Sequence, residues 1–183
     1  MSDINHIQYI DQSKLKIIAD FAAEYYDGKE RQQSEAKNDG HGRSRRIEQV
    51  MMGKMAEEAV CQALGTTAPD YAHYARGTRM TDADLDLDGL RIHVKACSMT
   101  RCDWVADPAS DRIVTNPLHN DVIVMCRVDP DTAVVELVGI AAASDLVGKW
   151  QEPSTDWMAK KGKKALYWSA IALAKNVNHF KPE

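Results

Sequence analysis

Hydrophobic and polar positions alternate strictly from Asp84 to Lys95, with Leu85, Leu87, Leu90, Ile92 and Val94 as the apolar members. A period of two places successive side chains on opposite faces of a strand. Asp88-Gly89 interrupts the run with a pair that tolerates positive φ at both positions, which predicts a two-residue hairpin. With that turn fixed, Leu87 lies opposite Leu90, Asp86 opposite Arg91, Leu85 opposite Ile92, Asp84 opposite His93 and Asp82 opposite Lys95. One face of the hairpin is apolar and turned to a core. The other, read as the wet face, gathers Asp82, Asp84, Asp86, His93 and Lys95, since directly opposed Cβ atoms sit roughly 4.5–5.5 Å apart.

A helical period governs Arg46 to Leu64, where Ile47, Val50, Met51, Met55, Val60, Cys61 and Leu64 trace one stripe and Gly65 is placed to cap the C-terminus. Glu57 falls on that stripe, whereas Glu58 falls beside it with Gln62. Gly53 and Ala56 suit close approach of a neighbouring element. Ser13 to Tyr26 predicts a second amphipathic helix through Leu15, Ile17, Ile18, Phe21, Ala22 and Tyr25. Asp27 to Gly42 is polar and reads as a linker. Tyr71 to Met80 supplies a strand before the hairpin. Asp121 to Val128 and Ala133 to Ile140 are two further strands, joined by Asp129-Pro130-Asp131-Thr132. Cys97 to Leu118 reads as a long connection, Asp145 to Ser154 as a loop, and Ala165 to about Asn176 as a final helix. The fold class is α/β, a central mixed sheet flanked by helices. The 183 residues form one domain, with an N-terminal helix and linker over 1–45, a core over 46–144, and a C-terminal loop and helix over 145–183.

Composition narrows this only a little. A hydrophobic content of 44% and a charged content of 27% are ordinary for a soluble chain. The net charge of −4 gives no global attraction to nucleic acid, so such a contact has to use local patches. Two are present: Arg43, Arg45 and Arg46 before the motif helix, and Lys160, Lys161, Lys163 and Lys164 around Gly162. Basic runs are more often plain solvated surface. Cys61, Cys97, Cys102 and Cys126 lack metal-site spacing and read as reduced thiols. No apolar run suits a membrane span, so the expectation is a cytoplasmic protein with no membrane partner.

The acidic face of the hairpin carries the chemistry. Polar residues on a wet face are the ordinary outcome of a half-buried hairpin. Asp84-x-Asp86-x-Asp88-Gly89 also opens like a calcium loop, but the twelfth position is Lys95, where a cation replaces the bidentate acid. The calcium reading fails. A helix-borne carboxylate at Glu57, aimed at the core side, needs a partner or a metal. Taken with a strand-borne Asp84 and a strand-borne x-Val94-Lys95, it makes a three-part constellation.

In that order Glu57, Asp84 and His93-Val94-Lys95 resemble the PD-(D/E)xK nuclease superfamily of restriction-endonuclease-like phosphodiesterases, over roughly Arg46 to Ser144. The resemblance implies a core sheet flanked by helices, with the Asp and the (D/E)xK triplet on adjacent strands and the Glu on the first core helix. It implies Asp84 as the central metal ligand, with Glu57 and, second in line, Asp86 completing the site. Lys95 would orient or deprotonate the attacking water. It further implies Mg²⁺ or Mn²⁺ as cofactor, DNA as partner, endonuclease activity, and a homodimer if both strands are cut. His93 departs from the pattern, since an acid is usual there. Imidazole suits Mn²⁺ better than Mg²⁺, so His93 is expected to ligate the metal or hold the water. The alternative is a non-catalytic nucleic-acid-binding or assembly protein that retains the fold.

Overall fold

A computed structural model describes residues 7–32, 43–67, 83–99, 103–106, 108 and 111–167. Its elements in chain order are β1 (Ile7–Tyr9), α1 (Gln12–Gln32), α2 (Arg43–Leu64), β2 (Leu85–Leu87), β3 (Leu90–Ser98), β4 (Asp103–Ala106), α3 (Arg112–Thr115), β5 (Asp121–Asp129), β6 (Val134–Ala142), α4 (Ala143–Leu146), α5 (Asp156–Lys160) and β7 (Lys164–Tyr167). Five strands form a mixed sheet in the order β1-β6-β5-β3-β2, in which β3 and β5 run parallel and the other pairs antiparallel. Strands β4 and β7 form a separate antiparallel ribbon.

The local signals act as their chemistry predicts. Asp88 and Gly89 have φ of 49° and 82°, the two left-handed positions of a tight hairpin turn, and the register is Leu87 with Leu90, Asp86 with Arg91, and Leu85 with Ile92. Helix α1 begins where Asp11 accepts the Lys14 N–H at 3.0 Å. Helix α2 ends at Gly65, whose N–H reaches the Gln62 carbonyl while the Thr66 N–H reaches that of Cys61, the paired closure of a Schellman cap.

The centre of the sheet is buried on both faces. Ile92, Val94, Val122, Val124, Cys126 and Val128 meet α1 and α2 in one apolar cluster. On the opposite face Ile123 and Met125 pack with Ile113, Ala143, Leu146 and Leu166, backed by Trp104 and Trp150. Strand β6 serves the first cluster through Val135 and Leu137, then through Ile140, while Ala141 joins the second. The parity changes because the β5–β6 register shifts between Met125 and Cys126, which pair with Gly139 and Leu137 and leave Val138 as the extra residue. One inserted residue reverses which side chains face a core.

Several expectations are corrected. The far side of β3 is only partly wet, since β4 packs on it and His93 is buried, with Arg91 and Lys95 half-buried. The segment Cys97 to Leu118 is not an irregular connection but carries the end of β3, β4 and α3. Ala165 to Tyr167 belongs to a strand, not a helix: pairing with β4 buries Ala165 and Leu166 and overrides local helical preference. Asp145 lies in α4 and not in a loop, and α1 runs on to Gln32 through half of the polar linker. Strand β1 is too short to give a periodic signal. Gly53 does not mark a close approach, since a Cβ there would meet nothing within 4 Å. The expected strand at Tyr71 to Met80, Asp82, Cys102 and the chain beyond Tyr167 lie outside the described residues.

Two glycine substitutions should move stability in opposite directions. Gly53→Ala fills open space in a helix interior and should add about 0.5–1 kcal/mol. Gly89→Ala puts a Cβ on a left-handed residue and should cost about 1–2 kcal/mol. Urea denaturation of both variants checks the signs; equal shifts in one direction would contradict the assignment.

Candidate active site

Helix α2 packs across β3, β5, β6 and β1 and also against α1, so its middle is enclosed. Met55, Ala56, Ala59 and Val60 fill the core, and Glu57 is carried into the same environment with only 4% of its surface exposed. One turn earlier the equally buried Lys54 sets its Nζ 2.6 and 2.8 Å from the two Glu57 oxygens. Burial pushes the Glu57 carboxyl up to about 7; Lys54 pulls it down, Asp84 adds to the rise and Lys95 opposes it. The charges of Asp84 and Lys95 therefore act directly on Glu57.

Asp84 stands immediately before β2, where the hairpin partner of β3 runs out. Its Oδ2 accepts the Val94 N–H at 2.8 Å, so the carboxylate takes the place of a ladder acceptor on the β3 edge. Lys95 follows Val94 and points to the opposite face. Its half-buried side chain sets Nζ 4.7 Å from the centre of the Trp104 ring, which meets Trp150 edge-on at 4.9 Å.

His93 is drawn to a different partner from the one its register suggests. Its Nε2 lies 3.0 Å from Asp121 Oδ1, and the ring is 5% exposed. Burial lowers its pKa, and the pull of Asp121 toward the cation does not overcome this. The ring is therefore neutral near neutral pH, and its proton sits on Nε2 to donate to the carboxylate. Asp121 also accepts from Arg91 Nε at 3.1 Å, Arg112 Nη1 at 2.7 Å and the Leu118 N–H at 2.7 Å. Burial alone would raise its pKa, but the bonds from Arg112, His93, Leu118 and Arg91 hold the carboxyl well below the usual range. Arg91, opposite Asp86 in the hairpin, also bonds Asp121 through its guanidinium, because parallel pairing sets Arg91 beside Asp121.

The remaining candidates are dispersed. Asp86 is exposed at the turn and accepts the Gly89 N–H at 3.3 Å. Glu58, expected beside the stripe, is as buried as Glu57, with Lys14 of α1 at 3.6 Å. Arg45 is exposed and Arg46 half-buried at the start of α2, whose first residue is Arg43. Lys160 and Lys161 are exposed at the end of α5, Lys163 is half-buried, and Lys164 on β7 pairs with Glu152. Cys61, Cys97 and Cys126 are buried and outside any disulfide. Among the described residues no group of three or more His, Cys, Asp or Glu side chains is arranged to hold a metal ion. Glu57 and Asp84 supply two carboxylates, a donor number that suits Mg²⁺, which keeps several waters and is held by one or two acids.

Sequence reasoning missed Lys54, Asp121 and Trp104. Lys54 had a signal, since it sits three residues before Glu57 on the same face. Asp121 had one too, as the single acid opening an uninterrupted apolar strand. Trp104 had none, because its role depends on a pairing between distant segments.

Asp121→Asn should cost about 3 kcal/mol or more at pH 7, the usual penalty for removing one member of a buried charged network. Its folded pKa is depressed, so the wild-type advantage is complete above the unfolded value near 4 and is lost as pH falls further. The gap between the two proteins should therefore close in acid. His93→Glu sets a second acid against Asp121 and should also destabilise. Urea midpoints across pH test both; a gap that widens in acid would refute the network. No helix of the described residues is long and apolar enough to cross a membrane. No family model matches the chain, and neither the curated proteins nor the solved structures contain a significant match to it.

Proposed function

We propose that the protein is a divalent-metal-dependent DNA phosphodiesterase of the endonuclease type, acting through Glu57, Asp84 and Lys95. The observation that carries this reading is the placement of Asp84 on the Val94 N–H, one residue from Lys95 on β3, with Glu57 buried on the helix that packs against that strand. Two acids and a lysine are thus drawn from a helix, a strand end and the next strand onto neighbouring elements. The element order, with Glu57 on α2, Asp84 just before β2 and Lys95 on β3, is the order that the resemblance to restriction-endonuclease-like phosphodiesterases implies.

Asp84 and Glu57 would hold Mg²⁺ or Mn²⁺, which lowers the pKa of water and offsets charge developing on phosphate. Asp84 is positioned by the Val94 N–H, and its carboxylate would serve as a metal ligand. Lys95 orients the attacking water and stabilises the negative charge gained by the phosphorus centre. His93 supports β3 through Asp121. Arg43, Arg45, Arg46 and the Lys160 to Lys164 turn are the proposed contacts to the DNA backbone, whose binding should weaken steeply with salt. A homodimer would supply a second site for the second strand.

One observation favours a non-catalytic nucleic-acid-binding protein instead: Lys54 already engages both oxygens of Glu57. Calorimetry with Mg²⁺ and Mn²⁺ separates the two, since the non-catalytic reading predicts no heat that depends on Asp84.

Cleavage of plasmid, linear and branched DNA with a panel of metals is the primary test. Lys95→Ala and Asp84→Ala should each reduce cleavage by at least about a hundredfold with circular dichroism unchanged. Glu57→Gln should also abolish most activity. Glu58→Gln should lower stability through Lys14 but leave the rate per folded molecule intact. Wild-type rates in either Lys95→Ala or Asp84→Ala would remove the site assignment.

A further inference from the structure

We infer that Trp104 is a positioning residue for Lys95, and that the β4–β7 ribbon exists at this place in the fold to present its indole ring to the site. The inference rests on the phosphodiesterase reading for its functional meaning, but the contact itself stands on geometry.

Lysine is a compact charge on a flexible four-carbon stem, and fixing it has an entropic cost. A carboxylate partner would fix it but would also neutralise it and occupy its N–H groups. On the same face of β3, Arg91 is held in that way by Asp121. Lys95 instead rests over an aromatic face, 4.7 Å from the Trp104 ring centre. The ring quadrupole attracts the ammonium without supplying an opposing full charge. Held so, the three donors remain available to a water or a phosphate oxygen.

The ring is itself held from two directions. Trp104 pairs in register with the fully buried Leu166 of β7. Trp150 meets it edge-on at an interplanar angle of 72°. The next residue, Gln151, is tied to Ala165 of β7 by reciprocal backbone bonds of 2.9 and 2.8 Å. The two tryptophans and β7 thus form one unit, and the face of Trp104 receives the Lys95 ammonium.

The test compares Trp104→Phe, which keeps a π face, with Trp104→Met, which fills space without one. In DNA cleavage, Trp104→Met should lower kcat about tenfold with KM within about twofold, a loss within the range of a partly desolvated cation–π contact. Trp104→Phe should recover most of that rate. Independently of activity, reductive ¹³C-methylation keeps the lysine charge, and NMR should show the Lys95 methyl resonance displaced upfield by the indole. The signal is assigned by its absence in Lys95→Arg, and the displacement should vanish in Trp104→Met. Fluorinated tryptophan at position 104 preserves ring shape while weakening its negative face, so it reads the contact even if Trp104→Met does not fold. An undisplaced Lys95 resonance in the wild type, or Trp104→Phe as slow as Trp104→Met, would overturn the inference. A wild-type protein that cleaves no DNA but shows the displaced resonance would overturn the phosphodiesterase reading and leave the contact standing.

Discussion

Three basic side chains, Arg91, His93 and Lys95, emerge from one side of β3, where His93 is buried and the other two are half-buried. Parallel pairing with β5 places that side against the second apolar cluster, where an unpaired charge would be expensive. The structure meets the constraint in three ways. Arg91 bonds Asp121, His93 gives up its charge and donates a single hydrogen to the same carboxylate, and Lys95 keeps its charge over an indole. The position of the candidate site follows from this sequence of solutions along one strand. Charge is neutralised toward the start of β3 and left available farther along, next to Asp84.

Asp121 is the pivot of that arrangement. Its carboxylate is fully enclosed and joins β3, α3, the turn before β5 and β5 itself through four donors. The short helix α3 is held by its own Asp111 cap, which accepts the Ile113 N–H, and this directs Arg112 back to the same acid. A buried network of this kind contributes little net stability when compared with an apolar replacement, but leaving any member unpaired is costly. Its effect is therefore to fix the alignment of β3 on β5, and with it the height of Lys95 relative to Glu57.

What the sequence disclosed was local. The hairpin register was legible to the residue because the Asp88-Gly89 turn and the alternation of leucines specify the same pairing. The two long helices and the β5–β6 pair were legible for the same reason. Partners distant in the chain were not. Nothing in Asp103 to Ala106 announces β7, and the reading of Ala165 onward as a helix used local preference where a remote strand decided the outcome. The wet-face reading of His93 failed likewise, since burial of that face depends on segments that arrive later in the chain. Glu58 was misplaced because α2 is covered by α1 as well as by the sheet, so a one-stripe description of the helix is incomplete.

The two lysines near Glu57 are not equivalent, and the difference bears on what the site can bind. Lys54 places its ammonium between both oxygens of one buried acid and satisfies it. Lys95 acts on the same acid from farther away and keeps its charge over a ring. Any cation that engages Glu57 does so in competition with Lys54, and separating a buried pair without replacement costs about 3–5 kcal/mol. A monovalent ion offers no more charge than the ammonium it would displace. A divalent ion offers twice as much and also answers the charge of Asp84. If a cation engages Glu57, competition from Lys54 and the charge of Asp84 both favour a doubly charged ion over a singly charged one.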